Sequence, residues 1–460
     1  MADLGWSVAE VGELTGGRVV GDGGRTFDGV VIDSREDVRG ALFVALSGER
    51  FDGHDFVTQA AEGGASGALV SRLTESLAVP QVLVDDTLAA LQTLGLERRR
   101  AFDGPLVAIT GSSGKTSTRR LLASIVSRRH TTHQPVRNFN NHVGVPLTLL
   151  GLERRHRAAV IELGCSGFGE IAALTRLSEP NVGLVTNVGP AHLEQLGDLE
   201  GVARAKGELF AELSEDAIAV VNFDDPRVAA MPRRPAKALT FGRGEDTDVQ
   251  LVERRADGVA GQLITLRSAG QRIQARLGLL GVHNARNALA AAAAAVALGL
   301  GEGEIVDGLA AAEPVPGRLV PLTGPGGALL IDDTYNANPA STGAALEVLT
   351  EVAPAGRRIA VLGDMLELGE ASQRAHLEVG ARAARRELAL LVTVGELGAS
   401  IGRGALEAGL PSELHRHAAD HDQAAQAVRE RLNRGMAVLV KGSRGMRMER
   451  VVHALVEGAD

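Results

Sequence analysis

PLVAITGSSGKTSTRRLLASIVSRR, Pro105 to Arg129, is the stretch on which the fold turns. PLVAIT is a compact apolar run of strand character. Gly111 to Gly114 form a glycine-rich turn, and the residues from Thr116 onward have helical spacing. Backbone N–H groups can converge on phosphate oxygens only where no Cβ stands in the way, which is what glycines supply. A helix N-terminus adds partial positive charge, Lys115 adds a mobile cation, and Thr116 adds a hydroxyl suited to magnesium. The generic phosphate loop has a glycine where this chain has Ile109, so the match is partial. An ordinary β–α turn that reads GKT is the alternative; the strand before and the helix after favour nucleotide binding.

Working outward from this loop, AAVIELG (Ala158 to Gly164), NVGLVTNV (Asn181 to Val188) and AIAVVNF (Ala217 to Phe223) read as further buried strands between helical stretches. Apolar strands alternating with helices predict a parallel sheet covered on both faces. An Ala-rich helix from about His283 to Leu300 closes the unit. Toward the N-terminus, FDGVVID (Phe27 to Asp33), GALFVAL (Gly40 to Leu46), SGALVS (Ser66 to Ser71) and VPQVLVDD (Val79 to Asp86) read as strands. Helical spacing appears near 55–62 and 87–100. The charge cluster Glu97-Arg98-Arg99-Arg100 with Asp103-Gly104-Pro105 reads as a linker. Toward the C-terminus, Glu313-Pro314-Val315-Pro316-Gly317-Arg318 marks a second boundary. Beyond it ALLIDDTYNANP, RRIAVLGDM, LALLVTVGE and MAVLVKGSRGM each pair a strand with a loop and helix, as in an open α/β sheet. The expected architecture is therefore three α/β domains, over 1–103, 104–315 and 316–460.

Composition agrees. The chain has 460 residues, 45% hydrophobic and 23% charged, which excludes wholesale disorder. With 48 basic and 57 acidic residues the net charge of −9 argues against a broad nucleic-acid or anionic-membrane binder. The single cysteine, Cys165, excludes an internal disulfide framework and fits a reducing compartment. The start Met1-Ala2-Asp3-Leu4 lacks signal-peptide character, and the longest apolar run, Ala288 to Leu300, is too short to span a bilayer. A cytoplasmic protein without membrane insertion is the expectation.

Several residues stand where chemistry could be done. Glu162 ends an apolar strand, where a carboxylate can face phosphates through magnesium; a plain charged strand exit reads equally well. His192 and Glu194 follow another strand in TNVGPAHLE, which raises a metal-site reading only modestly. Lys206, in the helical stretch GVARAKGELF, is by default a solvated lysine. Asn138, Asn140 and Asn141 form an amide cluster that recognises a polar ligand or stabilises a turn. Asn284 and Asn287 open the Ala-rich helix, where asparagine is also an ordinary cap. Arg318 at the second boundary could grip phosphate or simply solvate a linker. Tyr335 could stack on a base or sit in a surface turn.

Together, VIDSR, LSGERFDGHDF, TGSSGKT, NFNNHVGVPLTLL, ELG…GEI, NVGPAHLE, AKGELF, GVHNARNALAA, PGR, DDTYNANP, GDMLELG and KGSRGM resemble, in order, the Mur ligase family of ATP-dependent amide-forming ligases of peptidoglycan synthesis. The family's phosphate loop has this abbreviated form, which accounts for Ile109. Within the family the chain is most similar to the member that joins D-alanyl-D-alanine to UDP-N-acetylmuramoyl-tripeptide. The resemblance implies an N-terminal UDP-substrate domain, a central P-loop ATPase-type domain, a C-terminal Rossmann-like domain, and an acyl-phosphate mechanism. It implies that Gly111, Ser112, Ser113, Gly114, Lys115 and Thr116 hold the ATP phosphates and that Lys115, Glu162, His192 and Lys206 are catalytic. Thr116, Glu162, His192 and, if carbamylated, Lys206 would be the magnesium ligands. Asn284 and Asn287 match adenine-side positions, Arg318 a phosphate contact, and Asp333, Tyr335 and Asn336 the C-terminal side of the ATP cleft. Ser34, Arg35, Gly48, Arg50 and His54 match the uridine-nucleotide region, Asn140 and Asn141 the muramoyl-peptide side, and Lys441, Ser443 and Arg444 the dipeptide side. The implied partners are small-molecule substrates acting on a monomer. The loop Cys165-Ser166-Gly167-Phe168 departs from relatives, which often carry an Asn-His-type pair near the peptide; Cys165 itself reads as a small buried thiol. Two alternatives remain: a sister ligase that adds a single amino acid, although its Asp-Asn-Pro-Arg motif is absent here, and a non-catalytic nucleotide-binding scaffold.

Overall fold

The computed structural model describes residues 5–48, 51–135 and 138–457. The chain divides into two compact units, one of Met1–Gln250, Arg267–Gln271 and Leu289–Gly308, the other of Leu251–Leu266, Arg272–Ala288 and Leu309–Asp460. It carries three sheets.

The first sheet holds β1 (Arg18–Val20), β2 (Gly29–Val31), β3 (Ala41–Val44), β4 (Gly67–Val70) and β5 (Gln81–Leu83), in the order β1-β5-β4-β3-β2. Only β1 pairs antiparallel. Strand alternation explains its two-sided burial: Leu42 and Val44 enter one apolar layer, Phe43 and Ala45 the other. β1 and the helix Val8–Thr15, opened by a Ser7–Glu10 capping box, were not legible in the sequence.

The second sheet holds β6 (Leu106–Thr110), β7 (Thr132–His133), β8 (Ala158–Glu162), β9 (Val182–Val185), β10 (Ile218–Asn222), β11 (Lys237–Gly242), β12 (Val249–Ala256), β13 (Gln262–Ser268) and β14 (Gln271–Leu277). Its order is β14-β13-β12-β11-β10-β9-β6-β8-β7, parallel from β7 through β12. After β8 the chain crosses β6 to place β9, so β6 stands at a switch in strand order, where open α/β sheets bind ligands at the carboxyl ends. The strands from β11 to β14 lie in a stretch to which the sequence reading assigned nothing. The alternating burial of β14 belongs to a sheet with one face exposed, not to the continuous apolar runs of the buried strands.

The third sheet holds β15 (Val320–Thr323), β16 (Leu329–Asp333), β17 (Arg358–Gly363), β18 (Leu390–Val394), β19 (His415–Ala418) and β20 (Ala437–Lys441), in the order β15-β16-β20-β17-β18-β19. All but the β15–β16 pair are parallel.

One expectation is corrected. Glu97 to Arg100 is the last turn of the helix Thr87–Arg100 rather than a linker. Arg99 is buried; its Nε donates to Ser178 O at 2.9 Å and its Nη2 to Glu179 O and Asn181 Oδ1, each at 2.9 Å. Arg98 Nε donates to Leu152 O at 2.7 Å. Carbonyls at helix ends lack partners inside the helix, and these guanidinium groups supply them. The basic run is an anchor.

Buried histidines give the first unit a pH dependence. His133 Nε2 donates to Thr148 O at 2.7 Å, and the His156 ring lies 4.9 Å away. Burial holds His133 down to about 4, and His156 also below its ordinary value. Between the ordinary 6.5 and about 4 the unfolded chain takes up protons that the folded chain refuses. Stability is therefore expected to fall as pH falls through that window. His133→Gln, whose amide still reaches Thr148 O, should show a shallower dependence of Tm on pH there.

Candidate active site

The phosphate loop leaves β6 with Gly111 at φ 140° and enters the helix Lys115–Val126 through Gly114 at φ 81°. Both are left-handed conformations that favour glycine. At Gly111 space is also decisive, since a Cβ there would stand 2.0 Å from Thr186 Oγ1 and 3.1 Å from Asn187 N. Gly111→Ala is expected to displace the loop and lower turnover about a hundredfold. Calorimetric ADP binding alongside a melting curve checks this: loss of binding in a folded variant is the expected result.

The strand-exit loop after β9 clamps the phosphate loop. Ser113 N and Oγ donate to Asn187 Oδ1 at 3.0 and 3.1 Å, and Asn187 Nδ2 donates to Ser113 O at 3.1 Å. Ser112 N donates to Asn187 O at 3.0 Å, Ser112 Oγ to Gly189 O at 2.9 Å, and Thr186 Oγ1 to Ser113 O at 2.7 Å. Thr186 and Asn187 were missed in the sequence, where only His192 and Glu194 of this loop drew notice. Lys115 Nζ donates to Gly111 O at 2.7 Å.

Thr116 and Glu162 come together as expected: Thr116 Oγ1 donates to Glu162 Oε2 at 3.0 Å, both residues buried. A hydroxyl and a carboxylate are hard oxygen donors that suit magnesium. Among the described residues no group of three or more His, Cys, Asp or Glu side chains could hold a metal alone, so phosphate and water oxygens would complete its shell. Arg119, also missed, donates from Nε to Glu162 Oε1 at 3.1 Å. Its position one turn beyond Lys115 was the available signal.

Lys206 overturns its default reading as a surface lysine. It lies in the helix Leu199–Glu212 at 2% exposure, and its Nζ donates to Cys165 Sγ at 2.9 Å. Glu208 on the same helix accepts from Gly169 N at 2.7 Å and Ala172 N at 3.0 Å, capping the helix Glu170–Ser178 and fixing the loop that carries Cys165. Cys165 is a buried thiol, as read. Phe168 of that loop is exposed, with the Arg204 guanidinium 5.1 Å from its ring centre. His192 is exposed at φ 52°, in the left-handed region, just before the short helix Leu193–Leu196.

Asn140 O accepts from Gly164 N at 2.7 Å, which ties its loop to the end of β8. Asn141 Oδ1 accepts from Gly144 N at 2.8 Å and so stabilises the start of the helix Gly144–Leu150. In the first sheet's loops His54 is buried, with Nδ1 2.7 Å from Asp52 Oδ1 and Nε2 accepting from Ser71 N at 2.9 Å. The N–H groups of His54 and the Arg72 guanidinium hold the Asp52 carboxyl well below the usual range. His54 is thus a brace for its loop. Ser34 Oγ donates to Gln59 Oε1 at 3.0 Å, and the exposed Arg35 pairs with Asp33 at 2.7 Å. Gly48 N donates to Phe51 O at 2.9 Å; Arg50 lies outside the described residues.

In the second unit Asn284 Nδ2 donates to Leu280 O at 2.9 Å and Asn287 Nδ2 to Asn284 Oδ1 at 3.1 Å. The Arg318 guanidinium lies 4.5 Å and that of Arg444 5.9 Å from the Tyr335 ring centre. Arg318 Nε is buried without a hydrogen-bond partner. Lys441 Nζ donates to Asp333 Oδ2 at 2.6 Å and to Asn336 O at 2.8 Å, while Asn336 itself is exposed. Ser443 Oγ donates to Ala337 O at 3.3 Å and accepts from Leu366 N at 2.8 Å. Lys441 and Ser443 thereby fasten the loops that follow β16, β17 and β20.

Three family models match the chain: "Mur ligase family, catalytic domain" over residues 26–99, "Mur ligase middle domain" over 109–295, and "Mur ligase, glutamate ligase domain" over 317–444. The UDP-N-acetylmuramoyl-tripeptide–D-alanyl-D-alanine ligase of Escherichia coli K12 is 39% identical over 97% of this chain and 96% of the relative. A crystal structure of MurF from Acinetobacter baumannii superposes with a TM-score of 0.90 at 34% identity, covering 98% of this chain and 99% of that one. MurF ligase from Thermotoga maritima in complex with ADP gives 0.81 at 30% identity, over 93% and 96%. The three α/β domains and the clamped phosphate loop have the same explanation: the chain belongs to the Mur ligase family.

Proposed function

We propose that the protein is an ATP-dependent ligase that joins D-alanyl-D-alanine to UDP-N-acetylmuramoyl-tripeptide, giving the pentapeptide precursor of peptidoglycan. The carrying observation is the likeness, over nearly the full length of both chains, to a relative named for this reaction.

A carboxylate is a poor acylating agent because its leaving group would be oxide. The terminal carboxylate of the tripeptide attacks the γ-phosphorus of ATP, forming an acyl phosphate and releasing ADP. The dipeptide amine attacks the acyl carbon, the tetrahedral intermediate expels phosphate, and the amine proton passes to solvent or a nearby base. The protein's task is to neutralise and align two anions and an amine. In this reading Lys115 and those N–H groups of the Gly111–Gly114 turn not already given to Asn187 hold the phosphates. Thr116 and Glu162 would hold magnesium, which when bound would screen phosphate charge. His192, and Lys206 as a carbamate, would contribute to a second magnesium, turning a buried cation into an oxygen donor. Ser34, Arg35, Gly48, Arg50 and His54 would serve the uridine nucleotide, Asn140 and Asn141 the muramoyl peptide, and Lys441, Ser443 and Arg444 the dipeptide. Asn284 and Asn287 would serve the adenine, Arg318 a nucleotide phosphate, and Asp333, Tyr335 and Asn336 would also contact ATP. Domain limits at 103/104 and 315/316, a monomeric state and a cytoplasmic location belong to the same reading. Among the described residues no helix is long and apolar enough to cross a membrane.

The test is ATP-dependent phosphate release with the UDP-muramoyl-tripeptide and either D-alanyl-D-alanine or single amino acids, with product masses. Release and a pentapeptide only with the dipeptide is the expected result. Release only with a single amino acid would reassign the chain to a sister ligase, and silence with ATP bound would make it a scaffold.

A further inference from the structure

Arg119 has no role in the reaction as described, yet it is among the most buried charged residues of the first unit, at 4% exposure. Its guanidinium joins three separate pieces of chain. Nε donates to Glu162 Oε1 at 3.1 Å at the end of β8. Nη1 donates to Gln134 Oε1 at 2.7 Å and to Pro135 O at 3.0 Å, in the segment that leads to the asparagine loop. The arginine itself rides on the helix that begins with Lys115 and Thr116. Farther along, Asn140 O accepts from Gly164 N at 2.7 Å, two residues beyond Glu162.

The two oxygens of Glu162 are divided: Oε1 is taken by Arg119, while Oε2 is turned toward Thr116. A carboxylate held at one oxygen by a rigid planar donor cannot rotate freely, so the other oxygen keeps its direction. Lysine could not do the same work, since a single ammonium lacks the fork that serves a carboxylate and two further oxygens at fixed angles.

We propose that Arg119 is a positioning residue that presents Glu162 to the metal–nucleotide group and at the same time holds the asparagine loop in register with it, coupling the phosphate site to the muramoyl-peptide side. This rests on the proposed function for the identity of the two ligands.

The test uses the full-length protein and the variants Arg119→Lys and Gln134→Ala, with melting curves to establish folding. Calorimetry with ADP in the presence and absence of magnesium reads the first arm; separate KM values for ATP and for UDP-muramoyl-tripeptide read the second. Arg119→Lys is expected to weaken magnesium-dependent ADP binding about tenfold, to leave magnesium-free ADP binding unchanged, and to raise both KM values. Gln134→Ala, which spares the Glu162 contact, should raise KM for the tripeptide while keeping magnesium-dependent ADP binding at the level of the parent. A folded Arg119→Lys protein with parental magnesium dependence overturns the proposal, as does an equal loss of ADP binding with and without the metal. So does a Gln134→Ala protein with an unchanged tripeptide KM. The calorimetric arm stands apart from the ligase reading: if the parent protein fails to ligate, that reading falls while magnesium-dependent binding still decides for or against Arg119.

Discussion

A Lys115→Met protein is expected to fold and to lose about two to three orders of magnitude in turnover. The argument begins with an electrostatic cost. Lys115 is the first residue of its helix, where the aligned peptide dipoles disfavour a cation by about 0.3–1 kcal/mol. A cation kept there answers to something other than helix stability. Its Nζ donates to Gly111 O, so the charge lies against the phosphate loop. Methionine keeps the length and apolar stem and removes only the charge. Single-turnover acyl-phosphate formation measures the loss directly, with melting curves to show that the fold persists. Turnover within tenfold of the parent would remove Lys115 from the phosphates.

The second large effect concerns stability. Lys441→Met should destabilise the second unit by about 3–5 kcal/mol, because it leaves the Asp333 carboxylate buried without its cation. The two side chains are 3% and 12% exposed and 2.6 Å apart. Replacing both, as Asp333→Asn with Lys441→Met, should recover much of the loss, since no uncompensated charge remains. Burial pushes the Asp333 carboxyl up, and Lys441 opposes that shift. Without Lys441 the folded-state value rises further above the unfolded one. The stability of Lys441→Met is therefore retained at low pH and lost as pH rises through the folded value, so its deficit against the parent should grow with pH. Thermal melting from acid to neutral pH checks the sign; a deficit that shrinks with rising pH would refute it. Lys441 thereby also braces β16 against β20.

Much of the site was legible because its chemistry is local. Thr110 to Thr116 announce a strand, a turn and a helix start, and the close approach at Gly111 is the reason that glycine is required. Glu162 stood out at its strand exit, where a plain charged residue read equally well. Asn187 could not: an asparagine after a strand gives no sign that its amide clamps a loop far away in sequence. The burial of Lys206 was invisible for the same reason, since helical spacing does not say which face a neighbouring helix covers. His54 and Asn141 also brace their own loops, which their place in the sequence did not announce.

The sequence by itself determined the strands β6, β8, β9 and β10, the phosphate loop and the order of the motifs, because apolar runs and glycines act on the backbone where they stand. Only the tertiary structure decided that Arg98 and Arg99 anchor the helix Thr87–Arg100, that Arg119 divides the oxygens of Glu162, and that Lys206 meets Cys165. Those outcomes depend on which buried polar groups meet across strands and helices far apart in the chain, where an unpaired charge is costly and any partner that relieves it is supplied by packing rather than by neighbouring residues.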